Sequence, residues 1–333
     1  MLANRFTRHA KRCLAISAIG AMTLIATSIT PAAAQTNYPS RPITLVVAYP
    51  PGGSTDLTGR TVGQELSKRL GVPVIVENIG GAGGAIGAQK VANAAPDGYT
   101  LIVGASNEIA IKRLVSSSVK YQLKDFTPIG MIATQPMVLV ASTKSGIKTI
   151  DQFVTAVKAN PGKYSYGSSG VGTALHLAGE MMKDQGGLFM THIPYRGVAP
   201  LTNDLMGNNI DFGVFVLSSG LPHIRSGSVI ALGTTEAKRS PLTPEIPALA
   251  QNPKFKNIDI NIWFALMGPA NMPEPVLAKL KKALNESLQT PDLRKKLEDS
   301  GSTVSKLDVD MPKFLSEESL KYKRIVDFAK ITE

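Results

Sequence analysis

The chain has 333 residues, 43% of them hydrophobic, with 36 basic against 25 acidic side chains and one cysteine, Cys13. A single cysteine excludes a disulfide framework, a zinc ribbon and a paired-thiol redox site. The net charge of +11 favours anions, but no basic run interleaved with aromatics marks a nucleic-acid surface, so no nucleic acid is expected.

Arg5, Arg8, Lys11 and Arg12 precede an apolar run from Leu14 to Ile29, followed by Thr30-Pro31-Ala32-Ala33-Ala34-Gln35. This pattern predicts a secretory signal peptide over residues 1–34, cleaved after Ala34, and a periplasmic product. The run is shorter than the roughly 20 residues of a membrane-spanning helix. An uncleaved anchor is the alternative, disfavoured because the run ends in Pro and Ala rather than in a basic cluster. Cys13 precedes the run, so it is no lipid-bearing cysteine, and the mature chain has none. Loss of four cations and no acid lowers the net charge from +11 to about +7.

From residue 43 onward, strand-like and helix-like stretches alternate. Ile43–Ala48 reads as a buried strand, Leu57–Leu70 as a helix, Val72–Glu77 as a strand, Ala85–Ala95 as a helix and Thr100–Gly104 as a strand. A βαβαβ series of this kind implies a parallel sheet covered by helices. A second series starts after Phe126-Thr127-Pro128-Ile129, with strands expected at Met137–Ser142, Tyr164–Gly167, His192–Pro194, Phe212–Leu217 and Val229–Thr234. Its helices are expected at Ile150–Ala159 behind a Thr149 cap, Thr173–Asp184 and Ala199–Met206. Pro241, Pro244 and Pro247 read as loop. A last strand, Ile260–Met267, leads to helices at Pro275–Gln289, Pro291–Ser300 and Pro312–Ala329, each opening at a proline, where a missing N–H costs least.

Three turns rich in glycine and hydroxyls each join a strand to a helix, the geometry that presents free N–H groups and positive helix-end potential to an anion. The first is Tyr49-Pro50-Pro51-Gly52-Gly53-Ser54-Thr55-Asp56, where Ser54 or Asp56 as a simple helix cap is the competing role. The second is Gly80-Gly81-Ala82-Gly83-Gly84-Ala85-Ile86-Gly87. It misses the dinucleotide fingerprint because Ile86 stands where the third glycine belongs. The third, Gly167-Ser168-Ser169-Gly170-Val171-Gly172-Thr173, carries no P-loop lysine, and Ser169 or Thr173 as a bare cap competes with anion binding.

Catalytic patterns are weak. Ser169 lacks the second glycine of a nucleophile elbow, and Ser145-Gly146-Ile147-Lys148 has none of the companion motifs of a serine–lysine acyltransferase. His176, His192 and His223 are too scattered for a metal motif, and His176 reads as a packing residue. Neither enzyme chemistry, nor a cofactor, nor a metal is expected. A secreted hydrolase or a nucleotide-binding enzyme is the alternative class.

Pro39-Ser40-Arg41-Pro42-Ile43, the first turn, Val76-Glu77-Asn78 with Gly81-Ala82-Gly83-Gly84, and Ala95-Pro96-Asp97-Gly98-Tyr99-Thr100-Leu101 together resemble Bug-type receptors. These are the solute-binding subunits of tripartite tricarboxylate transporters. The similarity continues in order through Gly172-Thr173, His176–Glu180, Pro194-Tyr195-Arg196-Gly197, Leu221-Pro222-His223-Ile224 and Ile262-Trp263-Phe264. The resemblance implies a type II periplasmic-binding-protein-like α/β fold: two α/β lobes joined by a double-crossover hinge, with the ligand cleft between them. Lobe one would be residues 36–137 plus 233–333, and lobe two residues 138–232. It implies a monomeric receptor that captures a small organic carboxylate by lobe closure and delivers it to a cognate inner-membrane transporter. Main-chain groups, hydroxyls and water would hold the carboxylate, which assigns ligand contact to Pro51, Gly52, Gly53, Ser54, Thr55, Gly81, Ala82, Gly83, Ser106, Ser168, Ser169, Gly170, Gly172, Thr173 and Tyr195. Arg196 would stay on the surface. Where many relatives carry Asp after Phe215, this chain has Val216, which implies a ligand with an apolar or aromatic body.

Overall fold

The computed structural model describes residues 37–307 and 309–333, so the expected signal peptide and its cleavage point lie outside the described residues. Strand β1 (Ile43–Val47) leads into α1 (Ser54–Leu70), β2 (Val74–Asn78), α2 (Ala85–Ala92) and β3 (Thr100–Ala105). β1 pairs in parallel with both β2 and β3, as a βαβαβ unit should. Helix α1 buries Val62, Leu66 and Leu70, one turn apart, and Gly59 lets it lie against β1, since a Cβ there would sit 2.8 Å from Val47 Cγ2. It ends at Gly71, whose φ of 71° closes the last turn onto Ser67. At the start of these strands Arg41 pairs with Asp97 at 3.0 Å and lies 3.9 Å over the Tyr99 ring. Two of the sequence signatures are therefore braces, not ligand groups.

A π-helical turn, Asn107–Ile111, continues into α3 (Lys112–Val115) and then β4 (Phe126–Ser142), a strand of 17 residues. After it come α4 (Ile150–Ala159), β5 (Ser165–Ser168), α5 (Ala174–Gly186), β6 (Thr191–Pro194), α6 (Val198–Met206), β7 (Phe212–Val216), α7 (Leu217–Arg225) and β8 (Val229–Thr234). The chain closes with β9 (Asn261–Pro269), α8 (Glu274–Leu288), α9 (Pro291–Asp299), β10 (Thr303–Val304) and α10 (Met311–Ala329). Thr149 caps α4 as expected, its hydroxyl accepting from Gln152 N–H at 3.2 Å.

The strand order is β2-β1-β3-β9-β4-β7-β5-β6, with β8 and β10 also on β4. The parallel unit expected from the first series is present, and the strands beyond it are antiparallel. β9 is antiparallel to β3 and β4, and β4 is antiparallel to β7, β8 and β10. A strand that passes straight from one half of the molecule to the other is not delivered by a crossover helix, so the parallel-connection rule does not apply to it. The strand expected at Met137–Ser142 is the second part of β4, which begins at Phe126. Pro128 is accommodated by register shifts at Pro128/Gly130 and Met131/Ala133. Pro136 stands where the partner changes, from β9 at Pro136 to β7 at Met137.

The product is a two-lobe α/β fold in which the chain passes out along β4 and returns after β8. The β4–β8 side has its own core, with Val138, Val140, Leu201, Leu205, Phe215 and Leu217 packed together and buried, each such side chain contributing roughly 1.5–3 kcal/mol. Thr235 knits the two passages: its Oγ1 accepts from Met137 N–H at 2.9 Å and donates to Ile260 C=O at 2.6 Å. Thr235→Val keeps the shape but orphans two buried backbone groups. It should lower the urea unfolding free energy by about 2 kcal/mol, and an unchanged midpoint would show that these bonds do not hold the crossing.

Candidate functional site

The segments that follow β1, β3, β5 and β7 converge on one cleft. After β1 the chain enters α1 with Gly53 as N-cap, φ −81° and ψ 168°, and no side chain caps the first turn. The leading N–H groups of α1 are left for an outside acceptor. Ser54 and Thr55 are buried beside them. Asp56 is not part of this offer. Its carboxylate accepts from Gly52 N–H at 2.9 Å, Arg60 Nε at 3.0 Å and Asn78 Nδ2 at 2.9 Å. Burial alone would raise this carboxyl, yet the bonds from Arg60, Gly52 and Asn78 hold it below its usual range.

After β3, Asn107 opens the π-helical turn and accepts from Ala174 N–H at 2.7 Å, occupying the first donor of α5. After β5, the third glycine-rich turn leads into α5 with Thr173 as its cap, accepting from His176 N–H at 3.3 Å and donating to Gly170 C=O at 2.8 Å. After β7 the chain enters α7 at once, with Val216 as N-cap. The sequence analysis places no helix here, and Pro222 lies inside it.

Between these ends lies a cleft of about 510 Å³ of empty space, partly open to solvent. Pro51, Gly53, Ser54 and Thr55 line it from the α1 side, facing Ser169, Leu175, Val198, Val216 and Ser219. Apart from the α1 donors, a few hydroxyls, Asn107 and Arg196, the walls are apolar. A second cavity adjoins it, lined by Gly81, Ala82, Gly83, Ser169, Gly170 and Tyr195, and the two share Tyr49, Pro50 and Arg196. Arg196 therefore faces both cavities, though it is exposed as a surface residue would be.

Five residues of the expected set line neither cavity. Gly52 turns its N–H to Asp56. Ser106 is fully buried beneath the π-helical turn. Gly172 has φ 69° and packs on Val115, where a Cβ would come within 2.2 Å, and its N–H donates to His176 Nδ1 at 3.2 Å. The Thr173 hydroxyl is used in the cap. Ser168 is fully buried, its Oγ 2.7 Å from His192 Nε2 and 3.1 Å from Gly170 O. That serine–histidine contact faces neither cavity; it supports the turn. The His192 ring stacks on His176 at 3.9 Å and 9°, and burial pushes His176 down to about 4 and His192 to about 3, so both rings are neutral at pH 7. Asn107, Leu175 and Ser219 are cleft residues that sequence reasoning missed, and Tyr49, at the head of the first turn, was assigned no contact there. Asn107 had a usable signal, since it directly follows the end of an expected strand.

Residues 58–331 match the family described as the tripartite tricarboxylate transporter family receptor. Protein BugT of Bordetella pertussis is 34% identical over 279 residues, covering 83% of this chain and 84% of that one. Among solved structures, an R. palustris protein with adipate superposes with a TM-score of 0.85 at 28% identity, covering 89% of this chain and 99% of its own. MatC from Rhodopseudomonas palustris, with bound malate, gives a TM-score of 0.81 at 29% identity, covering 87% of this chain and all of the other.

Proposed function

This chain belongs to the tripartite tricarboxylate transporter receptor family, and on that premise we propose that it is a periplasmic receptor that closes its two lobes on a small organic carboxylate and passes it to a membrane transporter. The observation that carries this reading is the uncapped N-terminus of α1 opening into an apolar cleft opposite the ends of β5 and β7. Neutral N–H donors hold an anion without a buried counter-ion, whose desolvation would cost several kcal/mol. The adipate and malate held by two structural relatives support the ligand class. The ligand contacts are Pro51, Gly53, Ser54, Thr55 and Ser169, with Gly81 to Gly83, Gly170 and Tyr195 on the adjoining wall. The lobes are residues 36–137 plus 233–333 and residues 138–232, a division supported by the change of strand partner along β4 at Met137. The leader is removed after Ala34, and the receptor works as a monomer.

Val216 lines the cleft, with Leu175 and Val198, where an acidic residue would favour an amine. The ligand therefore carries an apolar body beyond its carboxylate. A thermal-shift and calorimetric panel of carboxylates tests this. A carboxylate with an aliphatic or aromatic body at 100 times its Kd should add about 2.7 kcal/mol of stability. Tight binding of citrate or aspartate with none of apolar acids would remove the apolar-body reading. Silence from every carboxylate would remove the receptor reading itself.

A further inference from the structure

The cavity beside the ligand cleft contains a buried charge that the reading above does not use. Lys112 begins α3, and its side chain is only 2% exposed. Its Nζ contacts the Glu333 carboxylate, its only ion-pair partner among the described residues. An ammonium has three donors to satisfy, and a buried one is normally held by partners that are buried too. Glu333 is not such a partner: its side chain is 43% exposed, and its backbone N–H donates to Val115 C=O at 2.8 Å. The second glycine-rich turn is shaped to this lysine. Gly83 has φ 64°, and a Cβ there would meet Lys112 Cδ, Cε and Nζ at 3.3–3.5 Å. Lys112, Glu333 and Arg196 all line the same cavity, which adjoins the cleft at Tyr49, Pro50 and Ser169.

We infer that this cavity is a second carboxylate subsite, with Lys112 as its cation and the Glu333 carboxylate as an internal occupant that the ligand displaces. The inference rests on the receptor reading and narrows the ligand to a dicarboxylate. One carboxylate sits at the start of α1 beside Ser169. The apolar chain passes Tyr49 and Pro50, and the far carboxylate replaces Glu333 on Lys112. A displaceable carboxylate keeps the lysine paired while the site is empty, which a bare buried ammonium could not tolerate.

Calorimetry with linear diacids from succinate to pimelate, each against the monoacid of equal length, tests this on the wild type, Lys112→Met and Glu333→Gln. The wild type should prefer the best diacid over its monoacid by at least about tenfold, or 1.4 kcal/mol. Lys112→Met should erase that preference while leaving monoacid affinity within about twofold. Glu333→Gln, which removes the competitor and keeps the lysine, should tighten diacid binding several-fold and leave the monoacid unchanged. If Lys112→Met does not fold, the Glu333→Gln result decides. Equal loss for both acid classes in Lys112→Met would reduce the lysine to a fold-holding role. An unchanged diacid-to-monoacid ratio in both variants would overturn the subsite. Failure of the wild type to bind acids of either class overturns the receptor reading, a separate result.

Discussion

Leucine at position 53 is expected to lower carboxylate affinity at least about a hundredfold, roughly 2.7 kcal/mol, with little change in the stability of the empty protein. Gly53 has an extended backbone open to any residue, and a Cβ there would meet only Val198 Cγ1, at 3.9 Å across the cleft. The rest of a leucine side chain would fill the space beside the first N–H groups of α1 and stop Val198 from approaching. Gly53 makes no side-chain cap, so the cost to the helix is confined to the small difference between glycine and leucine as N-caps, about 1 kcal/mol. Titration of the best carboxylate of the panel, with a urea curve on the empty variant, separates the two effects. Affinity within about threefold of the wild type would move the ligand out of this cleft.

The second large effect concerns pH. Glu108 is fully buried in the π-helical turn, and burial pushes its carboxyl up to about 8, the bonds from Ala105 N–H and Tyr49 only partly opposing it. Geometry gives the same answer independently: the Tyr49 hydroxyl oxygen, with one proton to give, is 2.9 Å from Gly83 C=O and 3.2 Å from Glu108 Oε2. A protonated Glu108 resolves this competition by donating to Tyr49 while Tyr49 donates to Gly83. An unfolded chain releases this proton near 4.5, the folded chain near 8, so the folded state holds the extra proton between those values and stability falls as pH rises through them. The loss should be on the order of 3–5 kcal/mol. Glu108→Gln, neutral at every pH, should flatten this part of the urea stability profile and be more stable than the wild type above pH 8. Parallel pH profiles for the two proteins would show that Glu108 is ionised in the fold. Because Glu108 and Tyr49 support Gly83 and Gly84, the charged form should also loosen the second glycine-rich turn.

Much of the scaffold was legible because local signals agree with one another. The Thr149 cap and the prolines opening α8, α9 and α10 act within a few residues of themselves, and each appears where expected. The three turns were legible as well, since a glycine between a strand and a helix reports a backbone that must bend sharply. Which atoms of those turns face the cleft was not. Thr173 and Ser168 carry the right chemistry, but Thr173 is used as the cap of its own helix, the competing role the sequence offered, and Ser168 is claimed by His192 from another strand, which no local signal reports. The helix α7 was hidden because Pro222 weakens its propensity, and packing of Leu217 and Leu221 against the β4–β8 core outweighs that deficit.

By itself the sequence determined the absence of cysteine after position 13, the α/β alternation and three glycine- and hydroxyl-rich turns between strands and helices, because each depends on composition or on contacts within one turn of chain. Tertiary structure alone decided that β4 and β9 run antiparallel through the middle of the sheet, that Val216 and Ser169 face Gly53 across one cleft, and that Lys112 meets Glu333 beside it. Those facts depend on where distant segments come to rest. Lys112 and Glu333, 221 residues apart, illustrate the limit: no periodicity links them, and only the packing of α10 against the π-helical turn brings the end of the chain to the buried amine.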